Sequence, residues 1–172
     1  IVLGLGSVIT LARFSEAFLV LRGQQLGLPM AWVPAVILVM SLVYAASAYP
    51  AGLAARYWSR RTLLATGLAV LIGADLVLAN ADGIVLVLAG AALWGLHMGL
   101  TQGLLAALVA DAVPPERTGT AFGVFHLATG VFLLLASALA GLVWDRYGAP
   151  ATFLTGAGFS AVALAGLLFY RR

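Results

Sequence analysis

A small set of polar side chains stands inside stretches that are otherwise apolar enough to sit in lipid, and their types limit what the chain can do. Arg13 and Glu16 are three residues apart. On a helix that spacing turns them about 60° from one another on one face, close enough for guanidinium and carboxylate to pair. Asp75, His97, Thr101 and His126 follow in later apolar stretches. A charge at the bilayer centre costs at least about 2.5–3.5 kcal/mol on insertion scales, so such residues face a bundle interior or a wet cavity. The chemistry available is solute binding or proton exchange. Glu16 is the group expected to exchange a proton or hold a cationic group, with Arg13 setting its charge state. A self-neutralising structural pair is the alternative. Asp75 could reach toward Arg13 or serve as a buried hydrogen-bonding group, and His126, flanked by Phe122 and Phe125, could line a cavity wall or only pack.

Around His97 the pattern is two-faced. Gly95, Gly99 and Gly103 recur once per turn, as expected of a close helix contact between small residues. Trp94, His97 and Thr101 fall within about 60° of one another on the side away from those glycines. The first face is expected to pack and the second to be polar, although His97 could equally be a hydrogen-bonded packing residue.

Other chemistry is missing from the sequence. It has no cysteine, no Gly-rich phosphate loop before a helix, no serine in a nucleophile elbow and no His-x-x-x-His pair. No metal, no cofactor and no enzymatic or ATP-driven activity is therefore expected.

The elements that must position these residues follow from composition. Of 172 residues, 63% are hydrophobic and only 15 are charged, all nine cations being arginine. Soluble domains carry roughly 25% charged residues. With 20 glycines among long apolar runs, the chain reads as an all-α membrane protein. Spans are expected at about Val2–Arg22, Met30–Arg56, Thr62–Asn80, Ile84–Ala110, Thr120–Val143 and Ala151–Tyr170, each near the length that a core of about 30 Å requires. Only Arg13, Glu16 and Asp75 among the charged residues lie inside them.

Short joins at Gly23 to Pro29, Ser59 to Arg61, Asn80 to Gly83, Pro114 to Arg117 and Asp145 to Pro150 connect the spans. The side shared by the termini holds Arg56, Arg60, Arg61, Arg117, Arg171 and Arg172, against Arg22 and Arg146 on the other. That bias predicts cytoplasmic termini in a cell membrane, expected to be a bacterial inner membrane, and reports orientation rather than a nucleic-acid partner. Ile1–Leu11 has no basic stretch before it and lacks the layout of a secretory signal, so the chain is expected to be a piece of something longer.

An internal repeat is visible at an offset of 89 residues: Ala51-Gly52-Leu53 recurs as Ala140-Gly141-Leu142, and Thr66-Gly67 as Thr155-Gly156. Three spans per repeat is an odd number, so the second copy must lie inverted.

The loop from Gly52 to Arg61 resembles the cytoplasmic motif of the major facilitator superfamily, G-x-L-A-D-R-x-G-R-R. Gly52, Ala55, Arg60 and Arg61 match, while Arg56, Tyr57 and Ser59 depart from it. Gly99 to Gly103 and Asp111 to Gly123 are similar to the tenth-to-eleventh span junction of that family, and Leu11 to Leu19 to its seventh span. The resemblance covers nearly the whole chain and implies the C-terminal six helices of a twelve-helix transporter. It also implies that the first and fourth spans line a central pathway and that Asp75 sits on an outer helix. Arg60 and Arg61 are expected to meet a helix C-terminus or lipid phosphate, and Gly52 to admit a neighbouring backbone.

The expected fold is six transmembrane helices as a 3+3 inverted repeat. Its expected function is half of a secondary transporter moving a small solute by alternating access, with the lipid bilayer and a second six-helix half as partners. A non-transport membrane module of the same fold and a small intramembrane enzyme or channel are the alternatives.

Overall fold

The computed structural model describes residues 9–169 together with Gly6. The expected start of the first span at Val2, its end point for the last at Tyr170, and Arg171 and Arg172 lie outside these residues. The described residues are helical and contain no strand.

Residues 9–12 are helical, and the helix stops there. It resumes as α1, Ala17–Gln25. Next come α2, Val33–Ala54, entered through a 3₁₀ turn at Met30–Trp32; α3, Arg60–Ala79; and α4, Ile84–Asp111. A last helical run, Thr118–Phe169, turns at Gly148, whose φ of 83° and ψ of 173° are not helical. The part before Gly148 is α5 and the part after it α6. Pro150 sits just beyond the turn, where its missing N–H costs the new helix nothing.

Four runs among the described residues are long and apolar enough to cross a membrane: Met30–Ala54, Arg60–Ala79, Ile84–Asp111 and Pro115–Phe169. The sequence reads as six. The difference arises because the break at 13–15 interrupts the first expected span, and because the last two expected spans are continuous through Gly148.

The core runs along α4. Trp94, His97 and Thr101 are buried on it, and the glycine face turns to α2. A Cβ on Gly95 would strike the Met40 carbonyl oxygen, and one on Gly99 would strike Ser47 Oγ, so these two glycines let the helix backbones touch. Gly103 and Gly52 do not follow the expected pattern. Each faces open space and lines an apolar groove between α2 and α4, so the small-residue contact is two glycines long.

The loop before α3 ties helix ends together. Ser59 Oγ accepts from the Thr62 N–H and caps α3. Arg60 pairs with Asp111 at 2.5 Å, joining the start of α3 to the end of α4, and Arg61 donates to the Leu168 carbonyl at the end of α6. At the far end of α3, Arg22 is buried and donates from Nη2 to Ala81 O at 2.7 Å and from Nε to Leu78 O at 3.2 Å. A guanidinium thus satisfies carbonyls that the helix terminus leaves open.

Candidate functional site

The interruption at residues 13–15 is the feature from which the site is built. A continuous helix was expected to place Arg13 and Glu16 on one face; instead the helical ladder ends at Ala12 and restarts beyond Glu16. Backbone groups freed by such a break must be satisfied inside the protein. Ser15 N–H donates to Ser137 Oγ of α5 at 3.1 Å, and Ser160 Oγ of α6 donates to Ala12 O at 3.4 Å. Ser15 Oγ also accepts from Ala17 N–H at 3.3 Å, starting α1 in the manner of a cap.

Phe14, within the break, is buried and packs at ring-centroid distances of 5.2 Å on Phe18, 5.4 Å on Trp94 and 5.6 Å on Phe153. Trp144 extends this cluster from α5. The break is therefore fixed to α1, α4 and α6 by aromatic contacts worth about 0.5–1.5 kcal/mol each beyond their buried area. Arg13, the residue before Phe14, is turned to another side.

There a cavity of about 270 Å³ lies between residues 9–13, α4 and α5. Arg13, His97, Thr101 and His126 line it together with Thr10, Gln102 and Thr129. His97 is wholly buried, with Nδ1 2.8 Å from the Gly67 carbonyl oxygen of α3. A carbonyl only accepts, so Nδ1 carries a proton and donates it to Gly67. The other ring nitrogen, Nε2, is itself buried and has no hydrogen-bond partner among the described residues. Thr101 returns its hydroxyl to His97 O at 2.9 Å, and its methyl fills the space at Gly67. His126 stacks on Phe122, 6.0 Å between centroids, and meets Phe125 edge-on. The Arg13 guanidinium has no hydrogen-bond or ion-pair partner among the described residues, where the one ion pair is Arg60–Asp111.

Three other residues singled out by sequence lie elsewhere. Trp94 belongs to the aromatic cluster. Glu16 stands half-buried on the far side of the break and does not line the cavity. Asp75 is wholly buried in α3, facing Gly156 of α6 and close to Phe14, and neither carboxyl oxygen has a hydrogen-bond partner among the described residues. Sequence reasoning passed over Thr10, Gln102 and Thr129. Thr10 and Thr129 were within reach, since each stands three residues from a histidine or arginine already chosen, and three residues is a helix-face spacing.

Comparison with known proteins agrees with this architecture. The Major Facilitator Superfamily model matches residues 2–172. An uncharacterized MFS-type transporter of Methanocaldococcus jannaschii is 28% identical over 175 residues, which cover 96% of this chain and 43% of that protein. The chain thus spans less than half the length of this relative. The family is one of transporters, not enzymes, and its members are embedded in the membrane, as the apolar helices here require. The chain belongs to the Major Facilitator Superfamily.

Proposed function

We propose that the chain is one half of a secondary transporter that carries a small solute by alternating access, the solute resting near the membrane midplane between this half and a second six-helix half. The cavity beside the broken first helix carries this reading. Irregular backbone at membrane depth is tolerated where it is buried in protein or lines a cavity, and discontinuous helices form the solute sites of many transporters. Here Arg13 at the break faces the same space as His97, Thr101 and His126.

The six-span arrangement is part of the proposal. A straight helix of 55 residues would be about 80 Å long, more than twice the hydrocarbon core, so Gly148 is taken as the turn between a fifth and a sixth span. The 3+3 repeat draws support from the two glycines that the offset of 89 equates. Gly67 on α3 packs against His97 and Thr101 of α4, and Gly156 on α6 packs against Phe14 of the first span. The third helix of each repeat therefore meets the first helix of the other, the reciprocity expected of a two-fold relationship.

Coupling to protons is assigned to Glu16, which stands beyond the break outside the cavity and forms no ion pair among the described residues. Both termini are placed in the cytoplasm of a bacterial inner membrane on the arginine bias.

The test is flux into proteoliposomes, with the chain alone and with a six-helix partner. Solute accumulation that needs the partner and follows an imposed pH gradient is the expected result, with Glu16→Gln abolishing the gradient dependence while solute exchange continues. Solute binding without flux in the presence of any partner would assign the chain to a non-transport module. Flux by a strict monomer would rule out the half-transporter reading.

A further inference from the structure

We propose that the apolar groove between α2 and α4 seats one anionic phospholipid, an acyl chain lying along the groove and the phosphate meeting Arg56. The groove holds about 310 Å³ and is walled by α2 and by Leu63 of α3, with α4 as its floor. All of its lining comes from these three helices, so the site is complete without a second half. Its position selects lipid as the occupant. At 100° per residue, the residues that α4 gives to the groove are centred about 150° from those it gives to the cavity beside Arg13. A second half that closes over the cavity therefore leaves the groove in the bilayer. Along α2 the lining runs from Tyr44 to Ala55, a rise of about 16 Å, and half of a core of about 30 Å is one leaflet. An acyl chain entering at the helix end is matched in depth. Gly52 and Gly103, where a Cβ would meet nothing within 4 Å, keep the channel open.

The charge at the mouth selects the headgroup. Arg56 follows the lining residue Ala55 and extends the row Tyr44, Ala48, Gly52 by one turn, its N–H still donating to Leu53 O at 3.1 Å. It is exposed, and its side chain makes no hydrogen bond or ion pair among the described residues. The acids at this end are placed otherwise: Asp111 pairs with Arg60, and Glu116 adjoins Arg117 in the turn before α5. A guanidinium matches a phosphate with two parallel donors. The facilitator motif has an acid where Arg56 stands, so the cation at this mouth is a departure from it. Tyr57 and Trp58, both exposed beside Arg56, are residue types that collect at headgroup level.

The experiment is native mass spectrometry of the delipidated chain in detergent, titrated with phosphatidylglycerol, phosphatidylcholine and inorganic phosphate, with circular dichroism to check that each variant is folded. The chain is expected to retain one phosphatidylglycerol about fivefold more tightly than phosphatidylcholine, the effect of one arginine near a headgroup. Inorganic phosphate should not compete. Arg56→Gln should bring phosphatidylglycerol down to the phosphatidylcholine level, whereas Arg117→Gln, which removes a cation from the same end but outside the groove lining, should leave the preference in place. Gly103→Leu should fill the groove and weaken both lipids together, and Gly52→Leu on the facing wall replaces it if that variant does not fold. Equal retention of the two lipids by the parent chain, or equal losses in the two arginine variants, would overturn the proposal. So would displacement of the lipid by inorganic phosphate, or unchanged lipid binding with the groove filled. A dimer that Gly103→Leu dissolves would make a second copy the occupant and overturn it too. Failure of the transporter reading is read separately, in the flux experiment.

Discussion

The Ser15 amide donates to the Ser137 hydroxyl, 122 residues further along the chain, at 3.1 Å. This contact joins the broken first helix to α5, the two elements that flank the cavity. A net hydrogen bond contributes about 0.5–1.5 kcal/mol, and leaving its buried partner unsatisfied costs about 1–3 kcal/mol. Ser137→Ala is expected to lower unfolding stability within that range, and hydrogen exchange at the Ser15 amide should quicken. Unchanged exchange at Ser15 would mean that the bond does not hold the break.

The glycines on α4 are expected to differ sharply. Gly95→Ala drives a methyl into the Met40 backbone carbonyl, which no side-chain rotation can relieve, and overpacking of this kind costs about 1–3 kcal/mol or more. Gly103→Ala enters open space and should be neutral, or slightly stabilising through helix propensity. Thermal melting of the two variants in matched detergent checks the contrast.

Asp75→Asn should leave stability within about 1 kcal/mol of the parent, because neither carboxyl oxygen has a partner to lose among the described residues. Breaking a paired buried charge typically costs about 3–5 kcal/mol. A loss of that size in a denaturation measurement would reveal a partner for Asp75.

Arg22 and Arg60 both meet helix ends, yet only one is buried. Arg60→Gln removes an ion pair whose side chains are about half exposed, for an expected cost below about 1 kcal/mol that vanishes at high salt. Arg22→Met strips the Leu78 and Ala81 carbonyls of their donor and should cost about 2–3 kcal/mol, independent of salt. Equal, salt-sensitive losses in both variants would contradict the difference in burial.

Because the chain has no cysteine, single-cysteine labelling reports its orientation directly. Tyr147→Cys is expected to react with an impermeant maleimide added outside intact cells, and Ser59→Cys only after the membrane is opened. Tyr147 is used in place of Gly148, whose φ of 83° would strain any side chain. Reaction in the reverse order would invert the assigned topology.

Composition and pattern by themselves determined that this is an all-α membrane protein of the facilitator family, because hydropathy and the Gly52 to Arg61 motif depend only on local residue order. The contacts of Gly95 and Gly99 with a neighbouring helix followed from one-turn spacing as well. Tertiary structure decided the rest. Whether Arg13 and Glu16 share a helix face depended on serines 122 and 148 residues distant from their hydrogen-bond partners, which make a broken backbone affordable in lipid. Likewise Gly103 matches Gly99 in sequence spacing, yet a Cβ there would meet no neighbouring atom, and no local pattern encodes how two helices cross. The partner of His97 Nδ1 is a backbone carbonyl, which every residue carries, so only the packing of α3 on α4 could select Gly67.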